Sequence, residues 1–163
     1  MVGWRPARDD GHDQDSLARF SCWNSDPECW WSLEVENHIR GFVLSNSENV
    51  VLFEDEGELL AVSAFGRTTI GIPLVDPRQQ PCWHVDLIAV TLDRQSQGLS
   101  RKVFAGTFER MRELDPQCFL ITGLIHENNS ASLNAAQKVG IMRFTPAGDG
   151  YWRVLGEVPP ATL

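Results

Sequence analysis

Apolar residues recur along this chain at two different spacings, which predict helices in some segments and strands in others. Trp31, Val35 and Ile39 lie four residues apart, the spacing of one helix face, so a helix is predicted from Pro27 to Ser45. The run Phe119–Ile125 is apolar at nearly every position, which is typical of a strand covered on both faces. The pattern therefore predicts a chain that mixes helices and strands.

The whole pattern predicts an α/β fold, a mixed sheet with helices on both of its faces. The stretch Gly66–Pro81 contains three prolines and is predicted to be an irregular loop on the acceptor side of any site. The other predicted elements are strand Val2–Arg5, helix Asp9–Phe20, strand Asn49–Phe53, turn Glu54–Gly57, strand Glu58–Phe65, strand Cys82–Leu92, a helix from Arg101 to about Leu114, helix Asn129–Val139, and a final hairpin of Ile141–Thr145 and Tyr151–Leu155.

Size and charge restrict the class of protein. A chain of 163 residues with no long apolar run or repeat predicts a single domain over residues 1–156 and a frayed tail over 157–163. Its start lacks the apolar core of a signal peptide, so a cytoplasmic protein is expected, with no membrane partner. The net charge of −8 argues against a general nucleic-acid binder. The histidines and four cysteines show no metal-ligand spacing, so no metal site is predicted.

The join between the strand Cys82–Leu92 and the following helix carries the most specific motif. It reads Gln95, Ser96, Gln97, Gly98, Leu99 and Ser100. A turn of this kind points several backbone N–H groups outward where a helix dipole begins, which suits a pyrophosphate. Gly98 has no Cβ, so an anion can approach the backbone closely there, and Arg101 adds a positive charge nearby.

A second motif strengthens the first. The segment from Glu127 to Ile141 is similar to the pattern Asn-x-x-Ala-x-x-Leu-Tyr-x-x-x-Gly-Phe, and the earlier loop resembles Arg/Gln-x-x-Gly-x-Gly/Ala. Both patterns are signatures of the GNAT superfamily of acetyl-CoA-dependent N-acetyltransferases. The resemblance implies a mostly antiparallel sheet of six to seven strands, whose central strands splay apart around acetyl-CoA.

The resemblance also implies the residues that hold acetyl-CoA. The loop amides hold its pyrophosphate, and the backbone at the end of the strand pairs with its pantetheine arm and supplies an oxyanion donor. Two positions of the second motif contact the coenzyme. The implied cofactor-binding residues are Ile88, Ala89, Val90, Gln95, Ser96, Gln97, Gly98, Leu99, Ser100, Arg101, Asn129 and Ser132.

The candidate catalytic residues come from strand alternation and from one departure. His84 and Asp86 project from the same face of their strand, and a histidine suits base chemistry near neutrality. The tyrosine of the second signature is absent, because Ala136 stands in its place. Tyr151, the only tyrosine of the chain, and Ser132 are the candidates to replace it as the acid that protonates the thiolate.

These observations predict direct transfer of an acetyl group from acetyl-CoA to a primary amine of a small molecule or a protein. Two alternatives stay open, a non-catalytic acyl-CoA-binding module and a toxin-type acetyltransferase of aminoacyl-tRNA. The walls of the acceptor pocket are expected from Trp23–Asn46 and Gly66–Cys82. An exposed tryptophan on the second helix would be compatible with a homodimer.

Overall fold

The structure, a computed structural model, describes residues 1–72 and 76–161. Within these residues the chain forms seven strands in one sheet of order β1-β2-β3-β4-β5-β7-β6, and four α-helices. No helix in the described ranges is long and apolar enough to cross a membrane. The elements are β1 Gly3–Pro6, α1 Gly11–Ala18, α2 Trp30–Arg40, β2 Val50–Asp55, β3 Glu58–Ile72, β4 Asp76–Val90, α3 Leu99–Leu114, β5 Leu120–His126, α4 Ser130–Lys138, β6 Met142–Gly148 and β7 Tyr151–Glu157.

The predicted mixed, mostly antiparallel sheet is confirmed. The pairs β1–β2, β2–β3, β5–β7 and β6–β7 are antiparallel, whereas β4–β5 is parallel. The parallel pair joins Trp83–Val85 of β4 to Ile121–Gly123 of β5, although both strands continue beyond these residues. A pairing limited to three residues on each strand is what the predicted splaying of the central strands requires.

The chain divides into two compact units, so the single domain over residues 1–156 stays a prediction. The first unit comprises Met1–Ala64 and Leu87–Gly106, and the second comprises Phe65–Asp86 and Thr107–Leu163. The core of the first unit contains Leu17 and Ile39 from the helices and Leu52, Val62 and Leu87 from the strands. These helices therefore bury their apolar faces against the strands of their own unit.

A buried ion pair also ties elements of the first unit together. Asp13 of α1 is 1% exposed, and its two carboxylate oxygens accept hydrogen bonds from Arg5 of β1 at 2.7 and 2.6 Å. Arg5 also donates to Glu54 of β2. The Arg5 guanidinium holds the pKa of the Asp13 carboxyl far below its usual range, so this pair is charged throughout the neutral range.

The second unit corrects the sequence prediction for Gly66–Pro81. Its described residues, 66–72 and 76–81, are strand and not irregular loop, because β3 continues to Ile72 and β4 begins at Asp76. Ile70 packs with Cys82 and Leu120 in the core of this unit, and this burial stabilises the extended conformation. Pro73 lies outside the described residues.

Several predicted boundaries were also wrong. The second helix ends at Arg40 instead of Ser45, because Gly41 closes it and donates its N–H to Asn37 and His38 carbonyls. A 3₁₀ helix, Pro27–Cys29, precedes it instead of a first α-helical turn. The predicted buried strand begins at Leu120, after Phe119, which is 51% exposed, and Leu124 within β5 is 44% exposed, so β5 is not covered on both faces along its whole length.

The C-terminal tail is more ordered than the sequence predicts. β7 runs to Glu157, and Val158 is buried with its N–H bonded to the Phe119 carbonyl. Arg112 donates to the Pro159 carbonyl at 2.6 Å. The chain is therefore held through Pro159, and residues 162 and 163 lie outside the described part.

Candidate active site

The cofactor loop, Gln95–Gly98, lies in the first unit between the end of β4 and the start of α3. Ser96 and Gly98 have φ of +63° and +76°, which turn the backbone sharply into the helix. A Cβ built at Gly98 would meet no atom within 4 Å, so the space above this residue is open. The first N–H groups of α3 have no partner within their own helix. This arrangement can bind an anion such as a pyrophosphate.

The two glutamine side chains of the cofactor loop point toward the chain itself. Gln95 Nε2 donates to the carbonyls of Cys22 and Val90 at 2.8 and 3.1 Å. Gln97 Nε2 donates to the Asp93 carbonyl at 3.0 Å. Both side chains therefore shape the loop, and the backbone is left to face a ligand.

The neighbouring candidates flank this loop. Ser100 is half-buried and Arg101 is exposed in the first turn of α3, where a cation can meet a phosphate. Ala89 is buried in the core of the first unit, whereas Ile88 and Val90 are half-buried. The predicted alternation is therefore confirmed, and Ile88 and Val90 lie on the face opposite the core.

His84 and Asp86 come together in the second unit, as strand alternation predicts. His84 Nδ1 lies 3.1 Å from Asp86 Oδ1, and the two side chains are 29% and 46% exposed. A carboxylate can only accept a hydrogen bond, so in the neutral ring Nδ1 carries the proton and Nε2 keeps its lone pair. The pair can remove a proton from a ligand while Asp86 stabilises the resulting imidazolium.

Tyr151 does not join this pair. In the sheet register His84 lies opposite Thr122, whereas Tyr151 lies opposite His126. Thr122 and His126 are four residues apart on one strand, which separates the two positions by about 13 Å along β5. Tyr151 therefore lies on the same face of the sheet in this unit as His84, but four residues further along β5.

Sequence reasoning missed His126, which contacts Tyr151. The two rings meet edge to face with centroids 5.2 Å apart, and His126 is only 8% exposed. Its Nδ1 accepts the Asn128 N–H at 3.2 Å, so in the neutral ring Nε2 carries the proton. The available signal was its position, a histidine that ends β5 immediately before the second motif.

The second motif forms the N-terminus of α4. Asn129 caps this helix, because its Oδ1 accepts the Ser132 N–H at 3.2 Å. Ser132 is half-buried. Ala136 is 2% exposed, so the position where the GNAT pattern has tyrosine offers neither a hydroxyl nor open space.

No family model and no curated protein matches this sequence, but solved structures match its fold. A bacterial toxin is 13% identical at a TM-score of 0.72, covering 97% of this chain and 91% of that one. A GNAT-family acetyltransferase from Streptococcus pneumoniae is 13% identical at a TM-score of 0.63, covering 98% and 100%.

The toxin AtaT is a third structural neighbour, and it is known in two complexes. Its complex with acetyl-methionyl-tRNAfMet is 12% identical to this chain at a TM-score of 0.64, covering 94% of each chain. A mutant of AtaT bound to acetyl-CoA and the C-terminus of the antitoxin AtaR is 10% identical at a TM-score of 0.64, covering 97% of this chain and 94% of that one. At such identities the likeness establishes the fold, and this chain has the fold of the GNAT acetyltransferases.

Proposed function

We propose that this protein transfers an acetyl group from acetyl-CoA to a primary amine. The observation that carries the proposal is the open cradle at Gly98, where a sharp turn leads into the N-terminus of α3. Its backbone donors and the nearby Arg101 fit the pyrophosphate of a coenzyme A thioester. A structural neighbour is bound to acetyl-CoA, which supports the same use of the fold here.

In this proposal His84 is the general base. Its Nε2 takes a proton from the acceptor amine, directly or through one water, and Asp86 holds the ring by accepting from Nδ1. Acetyl-CoA supplies the acetyl group as a thioester, which the amine attacks directly. Backbone N–H near Val90 stabilises the charge on the carbonyl oxygen.

The thiolate leaves without a tyrosine acid at the position of Ala136. A thiol has an ordinary pKa of about 8.5, so its anion is a tolerable leaving group near neutral pH. Tyr151 contacts His126 instead of the dyad, and Ser132 gives its N–H to a helix cap. Tyr151 is therefore assigned a structural role in this proposal, the backbone bond of Ser132 assigns no role to its hydroxyl, and water protonates the thiolate.

Aminoacyl-tRNA is the second candidate acceptor. The observation in its favour is the likeness to AtaT, whose complex contains acetyl-methionyl-tRNAfMet. The net charge of −8 opposes it, because binding to phosphates needs clustered lysine and arginine. A small or protein amine, which is cationic before it reacts, suits an acidic protein better.

The test measures thiol release from acetyl-CoA over a panel of amines, peptides and aminoacyl-tRNA. His84→Gln is expected to lower turnover by roughly a hundredfold while the affinity for acetyl-CoA is kept. His12→Gln is the matched control, because His12 is 73% exposed and also lies beside an aspartate, with Nδ1 3.4 Å from Asp13.

Three results would redirect the assignment. Full turnover in His84→Gln would remove His84 as the base. Binding of acetyl-CoA without turnover on any acceptor would favour the non-catalytic module. Turnover on aminoacyl-tRNA alone, weakening steeply with added salt, would establish the toxin-type reaction.

A further inference from the structure

We propose that Gln95 is a positioning residue that couples the cofactor loop to the α1–α2 loop, defined here as Arg19–Asp26. Binding of coenzyme A at the cofactor loop then orders the α1–α2 loop. The inference rests on the proposed function, because it requires that the cofactor loop binds the coenzyme. Both loops belong to the first unit.

The side-chain amide of Gln95 bridges two segments that are far apart in the sequence. Its Nε2 donates to Val90 at the end of β4 and to Cys22 in the α1–α2 loop, at 3.1 and 2.8 Å. The Leu92 N–H donates to the Ser21 carbonyl at 2.9 Å. The α1–α2 loop is therefore joined by one hydrogen bond to Gln95 of the cofactor loop and by a second to Leu92, three residues before it.

The opposite side of Cys22 is fixed by α2. Glu36 is 6% exposed, and its Oε2 accepts the N–H groups of Cys22 and Trp23 at 2.8 and 3.0 Å. Burial opposes ionisation of Glu36, but these two backbone donors and Arg40 outweigh it, so its pKa lies below the usual value. Glu36 is therefore a charged, fixed acceptor for this loop.

The contacts form one path from the cofactor loop to α2. Gln95 donates to the carbonyl of Cys22 and Glu36 accepts its N–H, so this residue is hydrogen-bonded to the cofactor loop on one side and to α2 on the other. Arg40 completes the path by contacting Glu36 at 3.2 Å and donating to the Phe20 carbonyl at 2.7 Å. A change in the position of Gln95 therefore changes one of the two hydrogen bonds that hold the backbone of Cys22.

The expected consequence is a coupling in both directions. An anion that orders the cofactor loop reduces the freedom of Gln95, and the α1–α2 loop loses freedom with it. By linkage, an ordered α1–α2 loop strengthens coenzyme binding by the same factor. Trp23 follows Cys22 directly, and it begins the segment from which the sequence predicts the acceptor pocket, so the coupling makes the acceptor site depend on bound coenzyme.

Hydrogen–deuterium exchange with and without coenzyme A tests the coupling. In the wild type, coenzyme A is expected to slow exchange both in residues 91–101 and in residues 21–26. In Gln95→Met, measured at a coenzyme A concentration high enough to slow exchange in 91–101 to the same extent as in the wild type, the slowing in 21–26 falls by roughly fivefold, the effect of one or two lost hydrogen bonds. Gln95→Arg restores it, because a guanidinium can donate to both carbonyls.

The matched control is Gln14→Met. Gln14 Nε2 also donates to a backbone carbonyl, that of Phe42, at 2.7 Å in the same unit, and it does not touch the cofactor loop. This variant is expected to keep the coenzyme response of residues 21–26.

The outcomes separate the two proposals. Slowing in 91–101 with no response in 21–26 of the wild type would overturn the coupling and leave the proposed function standing. An unchanged response of 21–26 in Gln95→Met would remove Gln95 as its carrier. No slowing in 91–101 would overturn both, because the loop would then bind no coenzyme.

Discussion

A charged side chain introduced at Gly98 tests most directly whether the cofactor loop binds a pyrophosphate. Gly98→Asp places a carboxylate in the open space above the loop, where the proposal puts a pyrophosphate. Two unit charges about 4 Å apart interact by about 1 kcal/mol in water and by about 4 kcal/mol near a protein surface. Against about two phosphate charges, even the water value gives about 2 kcal/mol, or about 30-fold weaker binding.

Two controls separate this charge effect from backbone strain. Gly98→Asn requires the new residue to adopt the same left-handed conformation as in Gly98→Asp but adds no charge. Asn and Asp tolerate that region better than most residues. Gly57→Asp places the same charge at a hairpin glycine with φ of +83° and no atom within 4 Å of a Cβ. Each variant is expected to lose about 1 kcal/mol of folding stability from the conformation alone.

Titration calorimetry with coenzyme A at low salt measures the difference. Gly98→Asp should bind about 30-fold more weakly than Gly98→Asn, and added salt should narrow this gap because it screens exposed charges. Gly57→Asp should bind like the wild type. Equal affinity for Gly98→Asp and Gly98→Asn would refute the placement of phosphate at this loop.

Two further predictions concern stability. Asp13→Asn should cost roughly 2 kcal/mol at pH 7, since Arg5 keeps its bonds to Glu54 but loses two charge-assisted hydrogen bonds to the buried Asp13 carboxylate. Because Arg5 lowers the pKa of Asp13, this contribution is present above the unfolded pKa of about 4 and is lost as the pH falls toward the lower folded value. Urea unfolding of the wild type and Asp13→Asn at pH 7 and pH 3 tests this, because the difference between their free energies of unfolding should be smaller at pH 3. An equal difference at both pH values would contradict the prediction. Gly106→Ala should destabilise by about 1–3 kcal/mol, because its Cβ would lie 2.7 Å from a ring carbon of Phe53, whereas Gly11→Ala in open space should not; equal melting temperatures would contradict the clash.

The sequence alone determined the features that depend on neighbouring residues. Strand alternation placed His84 and Asp86 side by side, and the structure brings them to 3.1 Å. The sequence likewise placed the loop around Gly98 between a strand and a helix, because turn chemistry there is local. The Asn129 cap of α4 is local for the same reason.

Tertiary structure decided the features whose partners are distant in the sequence. Residues 66–72 and 76–81 form strand, and Ile70 packs there against Cys82 and Leu120, a contact that the prolines of this stretch do not predict. His126 meets Tyr151 only through the register of β5 and β7.

The α1–α2 loop shows the same limit most clearly. Gln95 reads as one residue of a coenzyme motif, yet its side chain reaches Cys22, 73 positions earlier. The sequence predicts Glu36 to be a polar position on an amphipathic helix, yet it is buried and accepts hydrogen bonds from two backbone N–H groups. A sequence pattern records which side chains can donate or accept, but only the folded chain brings a donor and an acceptor from distant segments within hydrogen-bond distance.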